Sequence, residues 1–499
     1  MKSFVRKHKA SLICAVVTFF IMTYYFMFVH PIIIFDTDDW LYAFDLRQPW
    51  PVWGGWNPIK VLPEMLQSMA SYTAGLLIYP LTGRYIEAYI FVNSIVVSLF
   101  IATYIYAFAE VIRNGRHTVT TIYIGGVFLL LHFVVFRSHE SNNAHLFYSQ
   151  NMTCYYNYVI PGLLNAILVM LLLWDDSLLD ANSSSSGKSK IRRFLFYIAC
   201  YFAIFSNLFL SVILVAYIGA SLIILFYRDI SSQSFSIVSF VKKNIIRVLI
   251  IIAWLISHLY ETNGGRAGQI ANKFTVQGIS EALITLSDNL KSINITFVVT
   301  TVVVLIGVIL ISIKHRDKIF LHYKSQVLIL SMILSTSYLV FLCSVTGPKY
   351  IGSINVIFGI CFFTLLIIIK CGLYILEKNR IGRCIFVVSS VLLLLNVNTK
   401  GMTFKDSHLG GENVSNETII QIDYAIINQI KNAADLGEKE ITLYVPDYKT
   451  FDNFPLANYG GNRFSSALYR HKIIPYMVSV TELVPIDDFY ERFGVYDTM

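Results

Sequence analysis

Three carboxylates fall within four residues at Asp36-Thr37-Asp38-Asp39, directly after the first long apolar run and just before Trp40. Acids held this close raise one another's pKa unless a cation or a hydrogen-bond donor compensates. That arrangement suits a general base or a metal site; a solvated acidic loop is the plain alternative. A second polar run, Arg137-Ser138-His139-Glu140-Ser141-Asn142-Asn143, leads through His145 to Gln150-Asn151 and Tyr155-Tyr156-Asn157-Tyr158. Its Arg137, His139, Glu140, amides and rings such as Tyr155 match what sugar hydroxyls and ring faces bind. They equally match the tyrosine belt of a membrane interface. His139, Glu140 and His145 are metal-ligand types, but their spacing fits none of the common zinc patterns. No metal or other cofactor is assigned, and a divalent ion at the acids stays open.

Two further clusters carry cations. In Tyr260-Glu261-Thr262-Asn263-Gly264-Gly265-Arg266, the glycine pair allows close backbone approach and Arg266 offers a planar fork for phosphate. Glu261, at the end of an apolar run, is a further candidate catalytic carboxylate, and a solvated Gly-rich turn is the alternative. In Gly347-Pro348-Lys349-Tyr350, Lys349 is the only basic residue of a tight turn. It reads equally as a phosphate contact or a snorkelling anchor.

The elements that must position these residues are membrane helices. Of 499 residues 56% are hydrophobic and only 14% charged, against about 25% charged in a soluble domain. Apolar runs of roughly 18 or more residues recur, each long enough for ~30 Å of hydrocarbon. The net charge of +8 comes from short basic clusters between apolar runs, so it is no nucleic-acid footprint. The seven cysteines contain no C-x-x-C pair and mark neither a disulfide framework nor a zinc site. The N-terminal apolar stretch is too long for a typical signal-peptide core and reads as an uncleaved first helix.

Basic clusters at 2–9, 113–116, 188–193, 242–247, 314–324 and 370–383 set the orientation if they face the cytoplasm. The spacing then predicts helices over 10–34, 86–112, 119–136, 158–174, 194–206, 208–227, 246–260, 294–313, 326–345, 351–369 and 384–397. The expectation is an all-α polytopic membrane protein of about 11 crossings, N-terminus inside and C-terminus outside. The apolar run 194–227 has 34 residues, about 51 Å as one helix. It must turn near Ser206-Asn207, as two crossings or as a re-entrant hairpin. The membrane domain spans 1–397 with outer loops 35–85, 137–157 and 261–293, and 175–190 is a flexible polar linker.

The remaining 398–499 holds fourteen of the 31 acids. Ile419, Ile422, Ile426 and Ile430 recur at helical spacing with Gly437 just past the end, and Ile441, Leu443 and Val445 alternate like a strand. A small outer α/β domain is expected. Its aromatic run, Tyr448, Phe451, Phe454, Tyr459 and Phe464, reads as core more readily than as a sugar-stacking surface.

All four clusters fall on one side of this topology, where a lipid-borne phosphate and a water-borne acceptor would meet. An inverting group transfer needs a carboxylate to deprotonate the acceptor and cations to stabilise the leaving phosphate. On the inner side there is no Gly-rich phosphate loop.

The acidic first loop Asp36-Thr37-Asp38-Asp39, the many crossings and the outer C-terminal domain resemble the GT-C superfamily of polyprenyl-phosphate-sugar-dependent glycosyltransferases, over about 1–400. Within it, the length and the Glu261-x-x-Gly264-x-Arg266 segment are similar to bacterial serotype-converting O-antigen glucosyltransferases. This resemblance implies an undecaprenyl-phosphate-linked sugar, glucose above all, as donor. It implies a lipid-linked O-antigen or other surface glycan as acceptor, and inverting transfer on the periplasmic face of the inner membrane. A flippase and a donor-lipid synthase would be partners. It places the base or acceptor-positioning role on Asp36, Asp38 or Asp39. Two other classes compete. A flippase for a lipid-linked saccharide usually shows repeats and midplane charges, and neither stands out here. An O-antigen polymerase or ligase leans on arginine-rich outer loops; the outer loops here hold few (Arg47, Arg84, Arg137, Arg266).

Overall fold

The computed structural model describes residues 6–34, 36–46, 57–113, 115–136, 145–149, 151–180, 187–230, 235–262, 274–317, 319–378, 384, 386–388, 390–392, 407–409, 412–447 and 461–496. The chain is a predominantly helical, multi-pass membrane protein. Among the described residues eight helices are long and apolar enough to cross a bilayer: α1 (Lys9–Val29), α4 (Tyr85–Ile112), α6 (Met152–Trp174), α8 (Leu208–Ile230), α10 (Ile245–Thr262), α12 (Ile295–His315), α13 (Tyr323–Thr346) and α14 (Phe358–Lys378). A shorter apolar helix, α5, covers Thr118–Val134. Helix α7, Gly187–Ile204, opens on Lys188, Lys190, Arg192 and Arg193 and is apolar only afterwards, and a short helix, α9 (Ile237–Lys243), leads into α10. The described residues between 384 and 392 are helical too.

The long apolar run over 194–227 breaks at Phe205-Ser206-Asn207, between α7 and α8. The break is held by polar contacts that a continuous helix would forbid. Lys60 donates its backbone N–H to the Phe205 carbonyl at 2.7 Å. Asn207 accepts the Phe209 N–H at 2.9 Å and donates its amide to the Asn157 carbonyl at 2.9 Å. The side chain of Asn207 thus caps α8 and ties it to α6.

Two segments expected as outer loops contain helices. Between 35 and 85 lie α2 (Thr37–Phe44) and α3 (Val61–Thr73), the latter continuing through a π turn at Ala74–Ile78 into Tyr79–Thr82. Between 261 and 293 lies α11 (Val276–Lys291), packed on α13 and on the turn Pro348–Gly352. Helix α6 begins at Met152, earlier than the expected 158, and α14 begins at Phe358, later than the expected 351.

The bundle has two chemically different ends. At the end where α1 begins, ion pairs crowd the helix termini. Glu110 meets His8 and Arg113, each at 2.9 Å; Arg192 meets Asp175 at 2.8 Å; Arg247 meets Asp176 at 2.6 Å; and Arg116 meets Glu377. At the opposite end the links are mostly neutral hydrogen bonds. Leu146 N–H reaches the His132 carbonyl, Asn294 N–H the Val135 carbonyl, and the Asn355 amide the Ser149 hydroxyl.

That second end also carries the C-terminal elements. Helix α15 (Asn416–Asp435) is capped by Ser415, whose hydroxyl accepts the Thr418 N–H at 3.0 Å. After a short antiparallel pair, β1 (Ser407–Leu409) and β2 (Glu412–Val414), strands β3 (Glu440–Pro446) and β4 (Ser479–Ile486) pair in parallel across α16 (Gly461–Arg470). This is a β-α-β crossover, the connection parallel pairing demands. Ile419, Ile422, Ile426 and Ile430 of α15 are buried, as their spacing requires.

Candidate functional site

The three acids of the first loop separate into two roles. Asp36 is the N-cap of α2: its Oδ1 accepts the Asp38 N–H at 2.8 Å, and Asp39 Oδ2 accepts the Asp36 N–H at 3.3 Å. This is a capping box with aspartate at the third helical position. The remaining oxygens bind the start of α6. Asp36 Oδ2 accepts the Asn151 amide at 3.1 Å. Asp39 Oδ1 accepts both the Thr153 N–H and the Thr153 hydroxyl, each at 2.6 Å. Gln67 of α3 then donates to the Thr153 oxygen at 2.8 Å. Asp36 and Asp39 are buried and join α2, α3 and α6 into one platform. Burial pushes the Asp36 carboxyl up to about 6, with the Asp38 charge adding to it and the Asp38 N–H, Asn151 and Arg463 opposing.

Asp38 differs. Its side chain is 46% exposed, and one oxygen lies 3.3 Å from Nη1 of Arg463. The same guanidinium nitrogen donates to the Thr37 carbonyl at 2.8 Å. Arg463 comes from the first turn of α16, so the C-terminal unit reaches across 425 residues to hold the accessible acid. The next residue, Phe464, stacks its ring 3.8 Å from that of Trp40, and both are fully buried. Docking is completed by Tyr85, whose hydroxyl meets His471 Nδ1 at 2.7 Å, and by Tyr424, which donates to Glu87. Gly75, in the π turn beside α3, makes this approach possible: a Cβ there would lie 2.4 Å from the His471 ring.

Asp423, on the buried face of α15, is fully enclosed, and neither of its oxygens has a hydrogen-bond partner among the described residues. Burial, with the Asp39 charge adding to it, pushes its carboxyl well above the ordinary range.

Other sequence-picked residues fall elsewhere. Tyr155, expected to face a sugar, is buried in the π turn Tyr155–Val159 of α6, its ring 5.5 Å from Phe26. It belongs to the packing because α6 starts several residues before the polarity of its sequence suggests. His145 is also core: its Nε2 meets the Tyr25 hydroxyl at 2.9 Å and its Nδ1 accepts the Phe147 N–H at 3.2 Å. Arg137, His139, Glu140 and Arg266 lie outside the described residues. Glu261 is half-buried in the last turn of α10, and Lys349 is exposed in the turn Pro348–Gly352. Both are at the Asp38 end of the bundle, but neither is brought into contact with Asp38.

An apolar crevice of about 140 Å³ opens at this same end, under α11 and between α5, α12 and α14, with Phe136, Leu286, Ile293, Phe297 and Ile360 in its walls. Among the described residues no group of three or more His, Cys, Asp or Glu side chains converges as a metal ion would require. Arg463 and Asp423 were not visible in the sequence, where one is among three arginines of an acidic tail (with Arg470 and Arg492) and the other a polar break in an isoleucine stripe. Comparison with protein-family models, with curated proteins and with solved structures finds no match to this chain.

Proposed function

We propose that this chain is an inner-membrane glycosyltransferase of the GT-C kind, moving a sugar from undecaprenyl phosphate to a lipid-linked surface glycan on the periplasmic face. The observation that carries the reading is Asp38: of the three clustered acids Asp36, Asp38 and Asp39, the one with an accessible carboxylate, held by Arg463 at the bundle end opposite the basic helix termini. With those basic termini in the cytoplasm, Asp38 and the C-terminal unit face the periplasm. In this arrangement α7 and the 384–392 helix complete about eleven crossings, and 398–499 forms a small periplasmic α/β domain.

The chemistry follows from what stands free and what is held. Asp38 takes the proton of the acceptor hydroxyl as that oxygen attacks the anomeric carbon from the face opposite the carrier. The bond from that carbon to the phosphate oxygen breaks, and the phosphate leaves with the electron pair, which inverts the centre. Lys349, exposed on the turn Pro348–Gly352 at the same end, offers positive charge to the departing phosphate, and Arg266, four residues past the end of α10 in sequence, is the second candidate cation. Glu261, at the membrane edge, orients the acceptor. The apolar crevice beneath α11 suits the first isoprene units of the carrier. Arg463 keeps the Asp38 carboxylate in one orientation, and the buried pair Asp36 and Asp39 fixes the helix that presents it.

The test is mass and linkage analysis of surface polysaccharide from cells with and without the gene, and with Asp38→Asn. The reading requires one sugar residue per repeat to disappear in both defective strains. Unaltered polysaccharide in the deletion strain, or full decoration by Asp38→Asn, would remove it.

A further inference from the structure

A second cavity lies nowhere near Asp38. It is a groove of about 750 Å³ between the last turns of α8 and the first half of α13, at the basic end of the bundle. That volume is within the roughly 300–1,000 Å³ of sites that take a small molecule. Its walls are Ile224, Leu321, Ile329 and Ile333, with Phe320 from the preceding connection. Leu321 and Ile333 are 59% and 49% exposed, so the apolar wall opens to the surroundings of the bundle and not to its core.

One end of the groove is polar. Arg228 donates one N–H to the side-chain Oε1 of Gln326 at 3.3 Å and stands 4.9 Å over the Tyr323 ring. A guanidinium has five N–H donors, so these two contacts orient the group and leave most of its donors for another acceptor. Asp229, the next residue in sequence, is paired with Lys243 at 3.5 Å. Two further cations lie at the same end of the bundle: Lys324 of α13 donates to the Leu173 carbonyl at 2.6 Å, and Lys370 of α14 donates to Ser325 at 2.7 Å. An exposed apolar slot that ends on an oriented arginine, at the basic end where the membrane helices terminate, matches one chemistry. It fits an acyl chain carrying an anionic phosphate headgroup.

We infer that the groove between α8 and α13 binds an anionic phospholipid of the leaflet at the basic end, with an acyl chain along Ile224, Ile329 and Ile333 and the phosphate on Arg228. The site is separate from the proposed transfer chemistry, which lies at the other end of the bundle, and stands or falls independently of it. Bound there, the lipid joins the ends of α8 and α13.

Native mass spectrometry of the purified full chain, delipidated and titrated with phosphatidylglycerol or with phosphatidylcholine of the same acyl chains, tests this. Wild type should retain phosphatidylglycerol in preference to phosphatidylcholine. Arg228→Gln should reduce that preference about fivefold, the effect of one basic residue near a membrane surface. Ile333→Trp, which fills the slot and leaves the charge, should reduce retention of both lipids. Asp38→Asn should behave as wild type. Equal retention of the two lipids by wild type, or unchanged phosphatidylglycerol binding in both groove variants, overturns the inference.

Discussion

Replacing Asp39 by alanine removes the acceptors of three buried hydrogen bonds, from the Thr153 N–H, the Thr153 hydroxyl and the Asp36 N–H. The hydroxyl can rotate to another partner; the two backbone donors cannot. Each buried donor left without an acceptor costs about 1–3 kcal/mol. Relief of repulsion with Asp36 and Asp423 offsets part of that, so the net loss is about 3 kcal/mol. Asp38→Asn is different. Asparagine keeps an oxygen facing Arg463, and a pair whose acid is 46% exposed contributes at most about 1 kcal/mol. The apparent unfolding temperature of each purified variant in detergent, followed by tryptophan fluorescence, separates the two. Asp39→Ala should unfold several degrees below wild type, with Asp38→Asn close to wild type but inactive. Equal destabilisation of the two, or a stable Asp39→Ala, would refute the division of the three acids into a structural pair and a working one.

Removing Arg463 should undock the C-terminal unit: Arg463→Gln changes Trp40 fluorescence, speeds proteolysis after residue 398 and abolishes transfer, with helix content by circular dichroism unchanged. Gly75→Ala, which sets a methyl 2.4 Å from the His471 ring, should undock it in the same way. Two buried carboxyls, Asp36 and Asp423, are raised above their ordinary value of 3.8. Between that value and the folded-state pKa the folded chain binds more protons than the unfolded chain, so stability falls as pH rises. For Asp36 that fall lies between pH 3.8 and about 6, and amounts to roughly 3 kcal/mol. For Asp423 it continues to higher pH, so Asp423→Asn should raise the unfolding temperature at neutral pH. An unfolding temperature that does not change in this variant contradicts the assignment. For sidedness, cysteines in place of Asp38 and Lys349, in a chain whose exposed Cys384 is serine, should react with an impermeant maleimide in intact cells. A cysteine in place of Lys7 should react only after lysis.

The membrane elements were legible because bilayer thickness makes length and apolarity sufficient cues. The 34-residue run over 194–227 showed its own break, since Ser206-Asn207 is a polar step in an apolar segment. Helix α15 and strand β3 also occur where the isoleucine spacing and the Ile441-Leu443-Val445 alternation place them. Helices α2 and α3 were not legible as such: both lie outside the long apolar runs, and their polar residues read as loop. Nor could the sequence rank the three acids. Asp36, Asp38 and Asp39 differ only through Thr153, Asn151 and Arg463, residues more than a hundred positions away. The parallel partner β4 was hidden for a related reason, because its pairing with β3 depends on a crossover through α16.

The central claim is that this chain forms a glycosidic bond at Asp38. Purified protein in detergent, given undecaprenyl-phosphate-hexose and a lipid-linked glycan acceptor, should yield a product with inverted anomeric configuration, and Asp38→Asn should yield none. No product from wild type with any such hexose, together with movement of the lipid-linked saccharide across reconstituted vesicles, would contradict the account and make the chain a transporter.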